Sequence, residues 1–176
     1  MKYKLLREDS ITLPSGTKLY RVQALKDFGN VKQGDTGGYI ESEGNLSQDG
    51  DCWVSGNAQV FDSAWVYGKA LVSGNAQVCG NAQVFGNARV YGNARVYGSA
   101  LVTYTVPTLS GLPKHSITVL HDRINIGCES HSIEHWIANR KRLAKQNAYS
   151  KKSYKLYIHA LKFCKILQEE LINNEL

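Results

Sequence analysis

The sequence predicts a mainly β protein: a β-solenoid of about three to four coils, an N-terminal β cap and a C-terminal two-helix appendage. Valine recurs at every sixth position from Val54 to Val102, and alanine does so from Ala58 to Ala100. Apolar residues at helical spacing follow Ser132. A period of six fits neither a helix nor a flat strand, but it fits one side of a solenoid coil.

Each repeat unit carries its own folding signals. Ala and Val are two residues apart and therefore point to the same side of a strand, whereas the residue between them points outward. Gly-Asn or a variant then turns the corner, because Gly adopts positive φ at low cost and Asn tolerates it. Three sides of six residues make a coil of eighteen (3 × 6), so the nine valines predict three coils and a dry core.

The repeat resembles the left-handed parallel β-helix of hexapeptide-repeat proteins. That resemblance implies the triangular cross-section and the left hand of the winding, which the spacing alone does not show.

We divide the chain into an N-terminal β cap (1–43), the β-helix (44–106) and a C-terminal β segment with a two-helix module (107–176). In the cap, the Pro14-Ser15-Gly16 turn between two β-rich stretches predicts a hairpin. Gly44-Asn45 sets the register of a degenerate first unit, with Leu46 in the alanine column and Gln48 in the valine column. Such an atypical unit suits the end of a solenoid, where strand edges are unpaired.

The segment from Arg21 to Val54 resembles the N-terminal part of a group of bacterial and phage hexapeptide-repeat proteins that has no agreed activity. The resemblance supports the fold and says little about function. The matching residues are Val31-Lys32, Gly34, Gly37-Gly38-Tyr39-Ile40, Leu46-Ser47-Gln48 and Gly50-Asp51-Cys52-Trp53.

Beyond the solenoid, Pro107, Gly111 and Pro113 mark a boundary. The stretch 117–126 predicts a short β segment or hairpin. Ser132 is the predicted N-cap of a helix that runs from Ile133 to about Asn147. A second helix is predicted from Ser150 or Ser153 to about Leu171. Residues 126–136, with these helices, resemble a small C-terminal module of phage and bacterial proteins, which implies a phage or prophage origin.

The net charge of +6 is uneven, because residues 1–114 carry 11 basic and 9 acidic side chains and residues 115–176 carry 10 and 6. No acidic residue lies between Glu134 and Glu169. This basic region could be a solvated face, a surface for an acidic protein, or a nucleic-acid site without a base-reading motif. The predicted partner-binding residues are Arg140, Lys141, Arg142, Lys145, Lys151, Lys152 and Lys155.

The sequence has no apolar run of about 18 residues, so no membrane span is predicted. Its first residues lack the apolar core of a signal peptide, which predicts a cytoplasmic location, in the host cell if the chain is phage-encoded. The unrelated spacings of Cys52, Cys79, Cys128 and Cys164 predict free thiols.

The fold resemblance also raises acyl transfer, since many left-handed β-helix proteins are acyltransferases with a histidine base near the coil. No histidine precedes His115, and no loop interrupts residues 54–102, so we predict no catalytic residue. An enzyme with a site between subunits, borrowing His115 or His121 from a neighbour, is the alternative. The zinc site of the related carbonic anhydrases needs three coil histidines, which are absent here.

Cys128, His131 and His135 form a C-x2-H-x3-H pattern whose residue types and spacing can bind zinc. The alternative is a buried cysteine beside histidines that cap or pack near the start of a helix. We favour the alternative and predict neither a metal nor a cofactor.

The outward positions stack every eighteen residues. One side carries Trp65, Gln83 and Leu101 beside Tyr67 and Phe85. Such an apolar surface is typical of an interface, either with the C-terminal helices or with other copies of the chain. We favour self-association, as a trimer like relatives of this fold.

Taken together, these patterns predict a non-enzymatic binding and assembly protein, and the resemblances imply that a phage or prophage encodes it. It would form a homo-oligomer and engage a host protein, and antagonism of a host defence system is one role that fits. An acyltransferase-like enzyme and a basic nucleic-acid-associated protein are the alternatives.

Overall fold

A computed structural model describes residues 1–112 and 114–173. The chain divides into two compact units, Met1–Val106 and Pro107–Leu176. The first unit begins with three strands, β1 (Tyr3–Thr12), β2 (Lys18–Ala24) and β3 (Thr36–Ile40). β1 and β2 form the predicted antiparallel hairpin, and β2 pairs antiparallel with β3.

Nine two-residue strands follow at intervals of six residues. Each ends in an inward valine that is 0 % exposed, because its side chain packs against the valines of the neighbouring sides and coils. The strands are β4 (Trp53–Val54), β5 (Gln59–Val60), β6 (Trp65–Val66), β7 (Leu71–Val72), β8 (Gln77–Val78), β9 (Gln83–Val84), β10 (Arg89–Val90), β11 (Arg95–Val96) and β12 (Leu101–Val102).

Parallel pairing sorts these strands into three sheets, one for each side of the solenoid. The first sheet, which we call the groove face, consists of β4, β7 and β10. The second, the hairpin face, consists of β5, β8 and β11 and continues through β3 into the N-terminal hairpin. The third, the aromatic face, consists of β6, β9 and β12. Within these three sets, paired residues are eighteen apart, as in Trp65↔Gln83 and Gln83↔Leu101. The predicted parallel β-solenoid is confirmed, with about four turns.

The register predicted for the first coil is wrong. Leu46 bridges Val66, and Ile40 pairs with Val60, so both pairs are twenty residues apart (66 − 46 and 60 − 40). Leu46 therefore occupies the valine column, and the side chain of Gln48 accepts a hydrogen bond from the backbone N–H of Lys2 at 2.7 Å.

Asn45 joins the first coil to the next one through hydrogen bonds. Residues Glu43–Asn45 form a single 3-10 turn, and the buried Asn45 amide donates to the carbonyl oxygens of Asp62 and Ala64, both at 2.9 Å. These bonds anchor Asn45 to the next coil. Ile40 and Leu46 keep the regular spacing of six residues, so the two additional residues lie after Leu46, between it and Val54.

The last coil is shortened instead. Thr105 bridges Arg89, and the backbone N–H of Val106 donates to the Arg89 carbonyl at 2.9 Å. Val106 is fully buried and takes the inward position that follows Val102.

The second unit is a four-stranded antiparallel meander with two helices. Its strands are β13 (Thr108–Leu109), β14 (Ile117–Val119), β15 (Ile124–Ile126) and β16 (Glu129–His131), and its helices are α1 (Ile133–Gln146) and α2 (Lys151–Asn173). The hairpin predicted within 117–126 is the β14–β15 pair. The Ser132 hydroxyl caps α1 by accepting a hydrogen bond from the N–H of His135 at 3.2 Å, as predicted.

The core of this unit lies between the sheet and the helices. Ile117, Val119 and Ile124 pack with Trp136, and the Trp136 indole N–H donates to the carbonyl of Ile124 at 2.8 Å. Among the helices in the described ranges, none combines the length and apolar character that crossing a membrane requires.

Candidate functional site

The aromatic face carries a continuous stack of rings. The Trp65 and Tyr67 rings lie 4.1 Å apart at 25°, and Tyr67 stacks on Phe85 with centroids 4.9 Å apart at 1°. The Tyr67 hydroxyl donates to the side-chain oxygen of Gln83 at 3.2 Å. The structure thus brings together the residues predicted as an interface: Trp65, Tyr67, Gln83, Phe85 and Leu101.

This face presents apolar surface to solvent. Trp65 is 42 % exposed and Leu101 is 61 % exposed, whereas the adjoining inward valines are fully buried. Burying such side chains against a partner stabilises the complex by about 25 cal/mol for each Å² removed from water. The face therefore has the chemistry of a contact surface, and the solenoid backbone holds its rings in place before any contact forms.

A groove of about 500 Å³ runs along the groove face. Its floor is formed by outward residues of three successive coils, with Trp53 and Leu71 in one column and Ser55 and Ser73 in the next. Loop residues 29–31 line it beside the first coil, where a Cβ on Gly29 would lie 3.4 Å from that of Asp51. An edge-on contact between Phe28 and Trp53, with centroids 5.3 Å apart, anchors this loop.

Charged side chains line the same groove. Asp51 and Lys69 occupy one corner column, and Arg89 lies on β10. Within the described ranges, the side chains of Lys69 and Arg89 form no hydrogen bond or ion pair with another residue. Tyr91, two residues beyond Arg89, is 48 % exposed. Reasoning from the sequence did not single out this groove, because its wall depends on a loop distant in the chain.

The basic residues of the second unit gather at one end of the helical pair. The exposed Lys141, Arg142 and Lys145 lie on the second half of α1, and Lys151, Lys152 and Lys155 lie in the first turns of α2. The connection at residues 147–150 joins these two segments, so both sets of cations flank it. Arg140 differs from the others, because its guanidinium donates to the carbonyl of Ile137 and it is only partly exposed.

A small cleft of about 50 Å³ opens between the sheet and the helices of the second unit. Trp136, Leu143 and Leu161 give it an apolar lining, and Arg140 and Tyr149 also border it. Burial raises the pKa of the Tyr149 hydroxyl well above its usual range, and the neighbouring Tyr157 adds to this shift. The Tyr149 phenol therefore stays neutral throughout the physiological pH range.

His121, His131 and His135 each contact other groups of the protein. His131 stacks on His135 at 4.1 Å, and its Nε2 lies 3.2 Å from a carboxylate oxygen of Glu129. Cys128 is exposed. In the ranges 1–112 and 114–173, no group of three His, Cys, Asp or Glu residues is arranged to hold a metal ion. His121 contacts the carbonyl of Leu171 at 3.1 Å.

The thiols differ in their surroundings. Cys52 and Cys164 are buried, and all four cysteines are free, as predicted. Burial raises the pKa of Cys164 to about 12. Burial, with a smaller effect from the Asp62 carboxylate, raises the pKa of Cys79 to about 11. A thiol reacts as its thiolate, so these two are poor nucleophiles at neutral pH.

Comparison with known proteins adds one finding on the fold. No curated protein matches the chain in sequence. The family model described as YdcK Beta solenoid repeat matches residues 82–93 and 88–104. Both matches lie within the solenoid, so over these residues the chain is similar to that β-solenoid repeat.

Proposed function

We propose that this chain is a non-enzymatic binding and assembly protein that forms a homo-oligomer through its aromatic face. The observation that carries the proposal is the ring stack of the exposed Trp65 and the half-buried Tyr67 and Phe85, which lies beside the exposed Leu101 on one sheet of the solenoid. Monomeric proteins seldom expose contiguous apolar surface of this kind, and rings held in place lose little entropy on contact. The resemblance to hexapeptide-repeat proteins favours a trimer.

The mass in solution tests this part of the proposal. Sedimentation equilibrium across a wide range of protein concentration is expected to give a multiple of the 19.5 kDa chain, three for a trimer. A single species of 19.5 kDa at every concentration would rule out self-association.

We also propose that the cations flanking residues 147–150 bind an acidic surface of a host protein. Lys151 and Lys152 lie at the N-terminus of α2, whose first turn holds no acidic residue. Cations are unfavourable there, because the helix dipole already places positive charge at this end. An acidic partner would relieve that repulsion, which gives these lysines a role that helix stability does not explain.

The sequence resemblances to phage proteins support a host component as this partner and antagonism of a host defence system as the role. Capture from host extract, with the intact chain and a Lys141→Glu/Arg142→Glu/Lys145→Glu variant as bait, tests the surface. A protein partner is expected to be lost with the variant and to survive nuclease treatment. Retention that disappears after nuclease treatment would instead identify nucleic acid as the ligand.

A further inference from the structure

The groove on the groove face has an arrangement suited to a small phosphorylated ligand. It has about 500 Å³ of space, an apolar floor at Trp53 and Leu71, and hydroxyls at Ser55 and Ser73. Sites for small ligands are typically 300–1,000 Å³ with few polar groups on an apolar lining. The lining residues all belong to the first unit, so the groove does not depend on self-association.

Its cations are available for an anion. Arg89 and Lys69 are exposed and have no side-chain partner in the described part of the chain. A guanidinium binds phosphate through two parallel N–H···O bonds, and a lysine ammonium adds a point charge. These two side chains arise from adjacent coils, about 4.8 Å apart along the solenoid, so both can approach one phosphate group.

An aromatic ring lies at a suitable distance from these cations. Tyr91 is 48 % exposed and follows Arg89 by two residues on the same outer face. Outward residues two apart on a strand are separated by roughly 6–7 Å. This separation allows a base to stack on Tyr91 while the phosphate of the same nucleotide contacts Arg89, and stacking on aromatic side chains is tolerant of base identity.

The groove also limits the size and charge of its ligand. Loop residues 29–31 close it at the first coil, and Asp51 places a carboxylate there. That carboxylate repels a second phosphate, so a polyanion running along the groove is disfavoured. We propose that the groove binds a nucleoside monophosphate, with the phosphate at Lys69 and Arg89 and the base on Tyr91.

Titration calorimetry with the full chain tests this proposal, using the four common nucleoside 5′-monophosphates, adenosine, inorganic phosphate and a short oligonucleotide. Saturable binding of the nucleotides is expected, tighter than that of adenosine or phosphate. Arg89→Gln should weaken nucleotide binding by about tenfold or more, since charge-assisted hydrogen bonds are lost. Tyr91→Leu should weaken nucleotide binding and leave phosphate binding unchanged.

The repeat supplies a matched control. Glutamine already occupies the position equivalent to Arg89 in Gln59, Gln77 and Gln83, so the variant is compatible with the fold. Arg95→Gln makes the same change on the hairpin face and should leave binding intact, and Lys69→Gln provides a second groove variant. The proposal is overturned if no nucleotide binds at millimolar concentration, if phosphate or an oligonucleotide binds as tightly as the monophosphates, or if Arg95→Gln weakens binding as much as Arg89→Gln.

Discussion

The ring of Tyr67 lies parallel to that of Phe85, at an interplanar angle of 1° and a centroid distance of 4.9 Å. That distance is the spacing of neighbouring strands in a sheet, because the two residues are equivalent positions of successive coils. Stacking on this face therefore follows directly from the eighteen-residue coil. The same geometry that buries the valines places the rings in a row on the outside.

The corner glycines differ in how closely the backbone of the next coil approaches them. Substitution by alanine should therefore destabilise the fold by unequal amounts. A Cβ on Gly74 would lie 3.0 Å from the backbone nitrogen of Gly92, whereas a Cβ on Gly92 would meet nothing within 4 Å. Both residues have positive φ, +70° and +65°. Gly74→Ala should therefore lower the free energy of unfolding by about 1–3 kcal/mol more than Gly92→Ala, owing to overpacking. Urea unfolding followed by circular dichroism measures the difference, and equal losses would show that neighbouring coils do not constrain the corner.

The buried side chain of Lys2 is expected to stabilise the N-terminal end of the fold. It is 1 % exposed, and its ammonium donates to the Cys52 carbonyl at 2.9 Å and lies 5.0 Å from the centre of the Phe28 ring. Lys2→Met keeps the aliphatic stem but leaves the carbonyl unpaired, at a cost of about 1–3 kcal/mol. Lys4→Met, at an exposed position of β1 two residues further along the chain, is the control. If both variants unfold at the same urea concentration, the buried ammonium does not stabilise the cap.

The four thiols should react with a disulfide reagent one after another, in an order set by their burial and pKa. Since the pKa of Cys79 is raised to about 11, roughly one Cys79 thiol in a thousand is ionised at pH 8. The exposed Cys128 should react first, Cys79 should react slowly, and the buried Cys52 and Cys164 should react only on unfolding. The pKa of Cys79 in the folded protein is above that of a free thiol, so folding favours the protonated form. The free energy of unfolding should therefore fall as the pH rises from about 8.5 toward 11.

Rates at two pH values check this order. Between pH 8 and pH 10 the Cys79 rate should increase by about a hundredfold, in proportion to the thiolate. Cys128→Ser should remove the fast phase only. Two equally fast thiols at pH 8 would contradict the raised pKa of Cys79.

Replacing the lysines at the start of α2 by glutamate should stabilise the helix and weaken the binding of the acidic partner. Lys151→Glu and Lys152→Glu place negative charge at the positive end of the helix dipole, so each should stabilise the helix by roughly a few tenths of a kcal/mol. The same variants should lose the acidic partner. Lys162→Glu, an exposed change further along α2, should have little effect on either. Thermal melts at low salt and capture assays measure the two effects, and unimpaired capture by the double variant would exclude this end of the helix as the binding surface.

The solenoid could be predicted from sequence because each unit carries its core residues and its corner within six positions. The register of the first coil could not, because the two additional residues between Leu46 and Val54 lie beside the N-terminus, where Gln48 accepts a hydrogen bond from the backbone N–H of Lys2. No local pattern encodes such a contact. Lys2 shows the same limitation, since its burial depends on residues about fifty positions away.

Of the candidate surfaces, some could be predicted from the sequence and others could not. The aromatic face could be predicted, because equivalent positions of a regular repeat stack. The groove could not, because its wall is a loop anchored by the contact of Phe28 with Trp53, which only the folded cap creates. The basic charges were apparent in the sequence, but their convergence follows from the pairing of α1 with α2.

A matched pair of substitutions tests the aromatic face most directly. Gln83 lies between Trp65 and Leu101, and Gln77 has the same outward position on the hairpin face. The Gln83 side chain accepts a hydrogen bond from Tyr67, and the Gln77 side chain donates one to Gln59. Arginine already occupies this position in other units, so both variants should fold. By sedimentation equilibrium, Gln83→Arg is expected to be a 19.5 kDa monomer and Gln77→Arg to keep the wild-type oligomer. An unchanged oligomer in Gln83→Arg would contradict assembly through this face.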